Sequence, residues 1–403
     1  MSMELRAKSP EGAALVALAE RLADDLATGA AARDRDRSYP FEGIGALQRA
    51  GYFGAPVPEQ FGGLGVGSVH DAVIASSRLA RGDASLAIGV NMHLVIALNQ
   101  ARRWQMAREE GNARRERAFG DSLRAIVSGR VVMAAAMSEP GQDLTRPATK
   151  AERSGAGWRI DGHKIFCTMS PAATLLVTSV GFRGGDGGER YGYVEIPVTT
   201  PGVTVNDDWD ALGMRASGSH SVTFDGVELP AGALRGGFPA GAMSPYLERN
   251  LPSGLFHASA SLGIAEAAFA RTAQPERIGE DARARMLVAE STIDLAAARA
   301  VISRAAALID DHYAENPTSS GTDDEILRLF AEGQAAKTFV NEAATRVVDR
   351  ALALSGGAGY LNGSPLARAY RDVRAGAFMH PLGANRAYGF LGDVALGRRH
   401  DLS

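Results

Sequence analysis

Apolar residues recur at three- and four-residue spacing through most of the first 128 residues of the chain. The spacing is clear from Ala13 to Leu26, from Tyr39 to Ala50 and, after a glycine-rich turn, from Asp71 to Trp104. It places apolar side chains along one face of a helix. The sequence therefore predicts an N-terminal α-helical domain over residues 1–129.

The pattern changes at Val131, where short runs rich in β-branched and aromatic residues begin. Gly, Asp and Pro separate these runs, as is typical of short strands joined by turns. The runs are Val131–Ala136, Trp158–Ile160, Leu175–Val177, Tyr191–Val194 and Val222–Phe224. They predict a middle antiparallel β-barrel or sandwich domain over residues 130–233, with its last strand ending near Pro230.

Alanine-rich helical patterns return from Pro252 onward. The segments Ala284–Tyr313 and Asp324–Ser355 carry Glu and Arg at four-residue spacing and have strongly apolar faces. They predict a C-terminal four-helix bundle over residues 234–403, whose apolar faces could also bury subunit contacts. The predicted fold class is therefore α+β, with the order helical, β, helical, and no internal repeat suggests a solenoid.

Composition and charge narrow the classes of protein. With 403 residues and 45% hydrophobic residues the chain is too long for one compact core, and its net charge of −3 gives no reason to expect nucleic acid as a partner. The single Cys167 cannot form an intrachain disulfide, which fits a reducing cytoplasm. The N-terminus lacks an apolar signal region and no run of about 18 apolar residues occurs, so the sequence predicts a cytoplasmic protein without a membrane span.

Six short motifs follow one another along nearly the whole chain in an order that one flavoprotein family shares. They are Val57–Gly65, Met137–Gly141, Gly162–Thr168, Leu212–Ser219, Ser355–Tyr360 and Tyr370–Asp372. Together they resemble the acyl-CoA dehydrogenase superfamily. The resemblance implies the same three-domain fold, with a flavin between the β-domain and the C-terminal bundle.

The resemblance also implies which residues contact the flavin. A flavin needs donors aimed at N1, O2, O4 and N5, because those atoms gain electron density on reduction. Ser138, Thr168 and the backbone of Met137 match the family positions that supply such donors, and Phe166 matches an aromatic residue that packs against the ring. The alternative is that Ser138 is a turn residue and Thr168 an ordinary strand residue.

The pair Gly356 and Gly357 matches the turn that the family uses for the dinucleotide half of FAD. Without a Cβ, backbone can approach a phosphate or an adenine closely. The alternative is that these glycines only end a helix. We expect FAD as the cofactor, with FMN also possible.

The catalytic glutamate of the dehydrogenases has no counterpart in this chain. Removing the α-proton of an acyl thioester requires a base, and a carboxylate suits that task. The family offers two positions for it, one corresponding to His380 and the other falling near Ser253 or Gly254. Glu248 lies a few residues upstream and is the displaced base on which a dehydrogenase interpretation would depend.

Histidine at position 380 instead resembles the flavin-dependent monooxygenase branch (group D) of the superfamily, which uses oxygen and reduced flavin from a partner reductase. An imidazole titrates near neutral pH and can accept a proton from a substrate. We therefore expect a monooxygenase or oxidase of a small organic substrate, with His380 as a catalytic residue. The alternatives are an acyl-CoA or acyl-carrier-protein dehydrogenase, and a catalytically silent homologue that binds a flavin or another ligand.

Three further residues are candidates through the same resemblance. His93 is a second candidate catalytic residue, and His257 and Arg215 are candidate substrate-binding residues. Each has a structural alternative, since a lone histidine on an apolar helix is usually a satisfied core residue and an arginine in a turn usually forms ion pairs. For the same reason, we expect Arg371 and Asp372 to have a structural role.

The remaining expectations concern ligands and assembly. No His-x-x-x-His pair, cysteine cluster or carboxylate cluster suggests a metal site. The expected partners are a small-molecule substrate, a separate flavin reductase and further copies of the chain in a homodimer or homotetramer. The identity of the substrate does not follow from the sequence.

Overall fold

A computed structural model describes residues 4–141 and 143–398, and residues 1–3, 142 and 399–403 lie outside this description. The N-terminal residues from which we predicted the absence of a signal region fall partly outside it. The elements follow the predicted order of helices, sheet and helices. This confirms the predicted α+β class.

Five α-helices form most of the N-terminal part that the structure describes. They are α1 (Pro10–Asp36), α2 (Phe41–Arg49), α3 (Val69–Gly82), α4 (Ala84–Glu109) and α5 (Ala113–Val127). The helical pattern from Asp71 to Trp104 is divided at Asp83, which ends α3 and caps α4 by accepting a hydrogen bond from the Leu86 N–H at 3.1 Å. By length and composition α4 could cross a membrane, but 89% of its apolar window is buried inside the protein, as in a core helix.

The middle part is a sheet that has eight strands within the described residues. They are β1 (Met133–Ala136), β2 (Lys150–Ser154), β3 (Gly157–Lys164), β4 (Leu175–Arg183), β5 (Glu189–Pro197), β6 (Val203–Val205), β7 (Val222–Leu229) and β8 (Arg235–Pro239). The order is β6-β7-β3-β2-β4-β5-β8, with β1 beside β4.

The sheet differs from the purely antiparallel one that we predicted. Strand β1 pairs with β4 in parallel, and the antiparallel β2–β3 hairpin lies between them in sequence. Strand β8 pairs with β5, so the sheet extends beyond the boundary predicted at residue 233. Alternation alone does not distinguish parallel from antiparallel partners, which is why the sequence did not predict this pairing.

The C-terminal part is helical. Its elements are α6 (Ser244–Arg249), α7 (Ser253–Thr272), α8 (Pro275–Ile278), α9 (Ala282–Glu315), α10 (Asp323–Ser355), α11 (Gly357–Tyr360), α12 (Pro365–Val373) and α13 (Ala384–Ala395). Helices α9 and α10 coincide with the two long segments predicted from the sequence. Helix α10 begins with a capping box between Thr322 and Glu325.

Helix α7 lies at the centre of the helical core. Most of its residues are buried, and one apolar cluster contains residues of α1, α3 and α4 together with residues of α7, α9 and α10. Gly263 permits the closest contact, because a Cβ at this position would lie 2.2 Å from the Ser77 carbonyl oxygen of α3. The N-terminal and C-terminal helices therefore share one core through α7.

A buried carboxylate fastens α7 to its neighbours. Glu266 accepts hydrogen bonds from Arg78 at 3.2 Å and Arg81 at 2.8 Å, both on α3, and from Arg299 on α9 at 2.8 Å. The side chains of Glu266 and Arg78 are 3% and 1% exposed, so neither charge is screened by solvent. Removal of the carboxylate would leave the buried Arg78 guanidinium with the Leu5 carbonyl and the more exposed Glu4 and Glu20.

We expect Glu266→Gln to lower the free energy of unfolding by about 3 kcal/mol, because the Arg78 guanidinium would remain buried without its buried counter-charge. Urea unfolding followed by circular dichroism measures the change. The matched control is Glu280→Gln, which removes the carboxylate of an exposed pair with Arg285 and should leave the midpoint unchanged. Equal midpoints for the two variants would contradict this account of the core.

Candidate active site

A cavity of about 840 Å³ lies where the three parts of the chain meet. Its walls come from α4, from the segment after β1, from the turns around Phe166 and Met214, from the start of α7 and from the segment that joins α12 to α13. This volume is within the usual range for a site that holds a cofactor or a small molecule.

The four residues predicted to contact a flavin share one wall of this cavity. Met137, Ser138, Phe166 and Thr168 all line it. The Phe166 side chain is 57% exposed, in a left-handed backbone conformation with φ of 55°, and its ring meets the edge of Trp209 at 5.9 Å between centroids. Such an exposed aromatic face inside a cavity fits a planar ring system.

A chain of hydroxyl groups supports the same wall. The Ser219 Oγ donates to the Thr168 Oγ1 at 2.9 Å and lies 2.7 Å from the Ser217 Oγ. The Thr168 hydroxyl has only a long contact of 3.4 Å with the Phe166 carbonyl for its own hydrogen. Thr168 can therefore turn its hydrogen toward an acceptor in the cavity, as an oxygen or nitrogen of a flavin would require.

A buried ion pair fixes the backbone behind this wall. The Lys164 Nζ lies 2.8 Å from the Glu139 Oε1, and both side chains are almost fully buried. Glu139 also accepts from the backbone N–H of Ala148 at 2.7 Å and of Thr149 at 2.8 Å. The strand end that carries Phe166 and Thr168 is thus tied to the segment that carries Met137 and Ser138.

His380 also lines the cavity and is partly buried. Its Nε2 is 3.1 Å from the Asn250 Oδ1 and 3.2 Å from the Tyr246 hydroxyl. The Asn250 Nδ2 donates to the Tyr246 carbonyl at 2.8 Å, which fixes the orientation of the amide so that its oxygen faces the imidazole. The Nε2 of His380 must therefore carry the hydrogen, and the lone pair lies on Nδ1.

Burial keeps this imidazole uncharged. Desolvation, together with the neighbouring charges of Lys337 and Arg386, lowers the pKa of His380 to about 3. His380 is therefore a neutral acceptor throughout the physiological pH range.

His257 lies in the same cavity. It stands on the first turns of α7, is 4% exposed, and neither ring nitrogen has a hydrogen-bond partner among the described residues. Burial lowers the pKa of His257 well below its usual value, and the positive charge of Lys337 acts in the same direction. Two unsatisfied nitrogens on a buried side chain at a cavity wall are typical of a group that contacts a ligand or an ordered water.

His93 does not reach the cavity. Its Nδ1 accepts from the Met133 N–H at 3.1 Å, and its Nε2 donates to the Phe53 carbonyl at 3.2 Å. The side chain is fully buried, and desolvation lowers the pKa of His93 to about 4. Both ring nitrogens of His93 are hydrogen-bonded to backbone groups, and we do not include His93 in the proposed site.

Arg215 and the two glycines also lie elsewhere. The Arg215 Nε donates to the Asp34 carbonyl at 2.9 Å, which links the segment between β6 and β7 to α1, and Arg215 does not line the cavity. Gly356 and Gly357 stand at the end of α10, where an added Cβ would meet no atom of the described residues within 4 Å. The single chain therefore brings none of these three residues to the cavity.

No aspartate or glutamate lines the cavity among the described residues. Glu248 lines a neighbouring cavity of about 340 Å³, where its carboxylate lies 3.4 Å from the Arg103 guanidinium. Ser253 reaches the main cavity, whereas Gly254 has no side chain and lies against α10. The two positions at which a dehydrogenase would carry its base hold no carboxylate, and Glu248 does not replace it.

Several residues of the site escaped the sequence reasoning. Tyr246 and Asn250, which orient His380, stand in a short helix that carries no motif. Lys337 lies on α10, far from His380 in sequence, yet donates to its backbone. A buried lysine on an otherwise apolar helical face was the only available signal for Lys337.

Three regions of the chain match the domains of one family. Residues 9–105 match the acyl-CoA dehydrogenase N-terminal domain, residues 134–227 the middle domain and residues 254–384 the C-terminal domain. The L-evernosamine nitrososynthase of Micromonospora sp. is 35% identical, with 100% of this chain and 94% of that protein covered. The amino sugar nitrososynthase DnmZ of Streptomyces peucetius is 34% identical, with 97% and 95% covered.

A solved structure agrees with these relatives. The protein KijD3, in complex with FMN and dTDP-3-amino-2,3,6-trideoxy-4-keto-3-methyl-D-glucose, has a TM-score of 0.89 and 31% identity, with 100% of this chain and 98% of that chain covered.

A buried contact between α12 and the segment that joins β6 to β7 should make the stability of the protein depend on pH. Asp372 is buried and accepts from the Met214 N–H at 2.6 Å, and burial raises the pKa of Asp372 to about 7. A raised pKa favours the protonated acid in the folded state, so this contribution to stability is complete below about pH 4 and is lost as pH rises through 7.

We expect Asp372→Asn, which keeps the acceptor but not the charge, to remove this loss. Relative to the wild type, the variant should gain stability on the order of 2 kcal/mol between pH 4 and pH 7.5. Melting temperatures recorded across this range measure the gain. A constant difference between the two proteins would show that Asp372 does not titrate there.

Proposed function

The chain belongs to the acyl-CoA dehydrogenase family and is a flavin-dependent oxidoreductase, and from this premise we propose that it is a monooxygenase that oxygenates the primary amine of a nucleotide-linked amino sugar. The observation that carries the monooxygenase assignment is the cavity lining, in which the described residues provide two neutral histidines and no carboxylate. The substrate class is supported by the relatives named as amino sugar nitrososynthases.

The electrostatics of the cavity suit an amine in its neutral form. An ammonium would meet no carboxylate among the described lining residues. Arg249 and Arg386 contribute to the walls, together with Arg371 and Arg374, which are paired with Asp34 and Asp349. A cationic substrate would therefore be buried without a counter-charge in the described lining. The amine therefore binds with its lone pair free, which is the form that oxygenation needs.

The overall reaction balances as R–NH2 + O2 + 2 e− + 2 H+ → R–NHOH + H2O. A reduced flavin, when bound, supplies the two electrons and activates oxygen. Thr168, Ser138 and the backbone of Met137 would hold its polar edge, and Phe166 would pack against its ring. The buried ion pair between Lys164 and Glu139 holds the two segments that carry those residues in a fixed position relative to each other.

His380 orients the substrate amine in this proposal. The Asn250 amide holds the hydrogen on Nε2, so Nδ1 of the neutral imidazole accepts a hydrogen bond from the substrate N–H. The proton that the nitrogen loses as its N–O bond forms leaves in the water of the overall reaction. His257 has no hydrogen-bond partner among the described residues, so it offers one donor and one acceptor to the polar groups of the sugar around that nitrogen.

No structural observation favours the dehydrogenase alternative. Abstraction of an α-proton from a thioester calls for a carboxylate beside the substrate. Glu248 is paired with Arg103 and lines the neighbouring cavity. The two activities differ in electron flow, since a dehydrogenase would reduce its own flavin with the thioester and would need no oxygen.

The proposal extends to partners and location. The protein would receive reduced flavin from a separate reductase and would assemble as a homodimer or homotetramer in the cytoplasm. Exposed apolar side chains at Tyr360 and Leu361, next to Gly356 and Gly357, are consistent with a subunit contact at that end of α10. The same two glycines would then bind the cofactor only in the assembly.

The function is tested with dTDP-3-amino-2,3,6-trideoxy-4-keto-3-methyl-D-glucose, the sugar nucleotide bound by KijD3. With FMN or FAD kept reduced by a flavin reductase, we expect oxygen uptake that depends on the sugar, and a product that has gained oxygen at nitrogen by mass spectrometry. Bleaching of the flavin by an acyl-CoA under anaerobic conditions, without sugar oxidation, would instead identify a dehydrogenase.

We expect His380→Ala to lower turnover by about 100-fold, the usual effect of misplacing a reacting group, while flavin affinity stays within about twofold since no flavin contact is removed. Stopped-flow turnover and flavin titration measure the two quantities. Glu248→Gln is the matched control and should keep turnover near the wild-type value. The opposite result, with turnover lost on changing Glu248 and retained on changing His380, would reinstate the displaced base.

A further inference from the structure

Lys337 is a buried lysine on α10 to which the proposed oxygenation assigns no role. Its side chain is 2% exposed, and its ammonium donates hydrogen bonds to the backbone carbonyls of Met379, of His380 at 3.2 Å and of Leu382 at 2.8 Å. No carboxylate lies within ion-pair distance of Lys337 in the described part of the chain. All of its donors thus serve the one segment that carries His380.

The packing of α7 on α10 gives Lys337 its path to this segment. Gly254 lies against α10, and a Cβ there would stand 3.0 Å from the Gln334 Nε2 and 3.4 Å from the Lys337 Cδ. A larger side chain at position 254 would have to displace one of these groups. The Lys337 side chain therefore lies in a space between α7 and α10, and this space is open because residue 254 has no side chain.

His380 is consequently held at two points. The Asn250 amide and the Tyr246 hydroxyl hold the ring through Nε2, and Lys337 holds the main chain on both sides of the residue. Three carbonyl oxygens around one nitrogen match the three hydrogens of an ammonium. A charged donor also makes stronger hydrogen bonds to carbonyls than a neutral one.

We propose that Lys337 is a positioning residue whose ammonium, by binding the main chain of Met379–Leu382, holds His380 in the cavity wall in its Nε2–H tautomer, and that loss of the ammonium releases it. This inference rests on the proposed role of His380 in the oxygenation. Lys337 does not line the cavity, so it acts through His380 and not on the substrate.

Of Lys337 and the titratable groups around it, Lys337 is the one whose charge changes near neutral pH. It faces His257 from α7 and His380 from the segment after α12, and both histidines are neutral because burial lowers the pKa of each. Arg386, on α13, acts on His380 as well. Burial lowers the pKa of Lys337 to about 7, so the ammonium is present below this pH and lost above it.

The neutral amine has two hydrogens and a lone pair, so one of the three carbonyls would face a lone pair in place of a donor. Wild-type turnover should therefore fall as pH rises above about 7, by about tenfold for each further pH unit where one deprotonation controls the rate. Flavin affinity should not follow this change, because no flavin contact depends on Lys337.

The variant Lys337→Met keeps a similar length but has neither charge nor donors. We expect its turnover to fall about 10-fold to 100-fold, with KM for the sugar nucleotide within about twofold and without the alkaline limb. In Lys337→Met/His380→Ala the loss should equal that of His380→Ala alone, because both changes disable one group. Multiplication of the two losses, or a rise in KM with unchanged turnover, would overturn the inference.

Lys337→Arg supplies the rescue, since a guanidinium stays charged at all relevant pH values. Its turnover should exceed that of Lys337→Met and should not fall above pH 7. Lys150→Met, at an exposed lysine of β2 that contacts the Pro147 carbonyl, is the control and should behave as wild type. An arginine variant that folds, binds flavin and is no more active than the methionine variant counts against a role for the charge.

A measurement without turnover separates this inference from the proposed function. The chain has 8 histidines, so ¹⁵N-histidine NMR can resolve the two nitrogens of His380, assigned by the signal that disappears in His380→Ala. The wild type should show the Nε2–H tautomer, and Lys337→Met should show averaging over both tautomers. Unchanged His380 signals in a folded Lys337→Met protein would refute the positioning role, whether or not the protein oxidises an amino sugar.

Discussion

The burial of α7 on almost all sides is the constraint on which the rest of the structure depends. This helix contacts α3 and α4 of the N-terminal part and α9 and α10 of the C-terminal part, so its position determines how the two helical parts meet. Gly263 allows the contact with α3, and Glu266 secures it by compensating three arginines. The first turns of the same helix form a wall of the cavity, and the geometry of the core therefore determines the geometry of the site.

The chemistry of that cavity follows from which charges are absent. An ionised carboxylate in the cavity would bind an amine as its cation or could remove a proton from carbon. The described lining has no carboxylate, and its two histidines are held neutral by burial. Neutral imidazoles offer hydrogen-bond acceptors to a neutral amine, which suits oxygenation at nitrogen.

The sequence predicted those features that depend on local pattern or on motifs. Helices α9 and α10 lie where the pattern places them. Ser138 and Thr168, which the motifs predict to contact a flavin, both line the cavity. The parallel pairing of β1 with β4 was missed because hydrophobic alternation carries no information about the direction of a partner strand.

Single histidines were harder to assign, and the reason is geometrical. His93 and His257 both stand on largely apolar helices, and the sequence offers the same signal for each. The rotation of each helix decides the outcome. His93 turns to the backbone of Phe53 and Met133, whereas His257 turns to the cavity and has no hydrogen-bond partner in the described part of the chain. Such rotations follow from packing over the whole helical core, which one helix does not encode.

The missing carboxylate and the lysine behind His380 have a common physical explanation. A charge-assisted hydrogen bond between ammonium and carboxylate is stronger than one between ammonium and carbonyl. A Cβ at position 254 would stand 3.4 Å from the Lys337 Cδ, so a carboxylate there would compete with the carbonyls of Met379 and Leu382 for the ammonium. Glycine at 254 avoids this competition and gives the lysine side chain room.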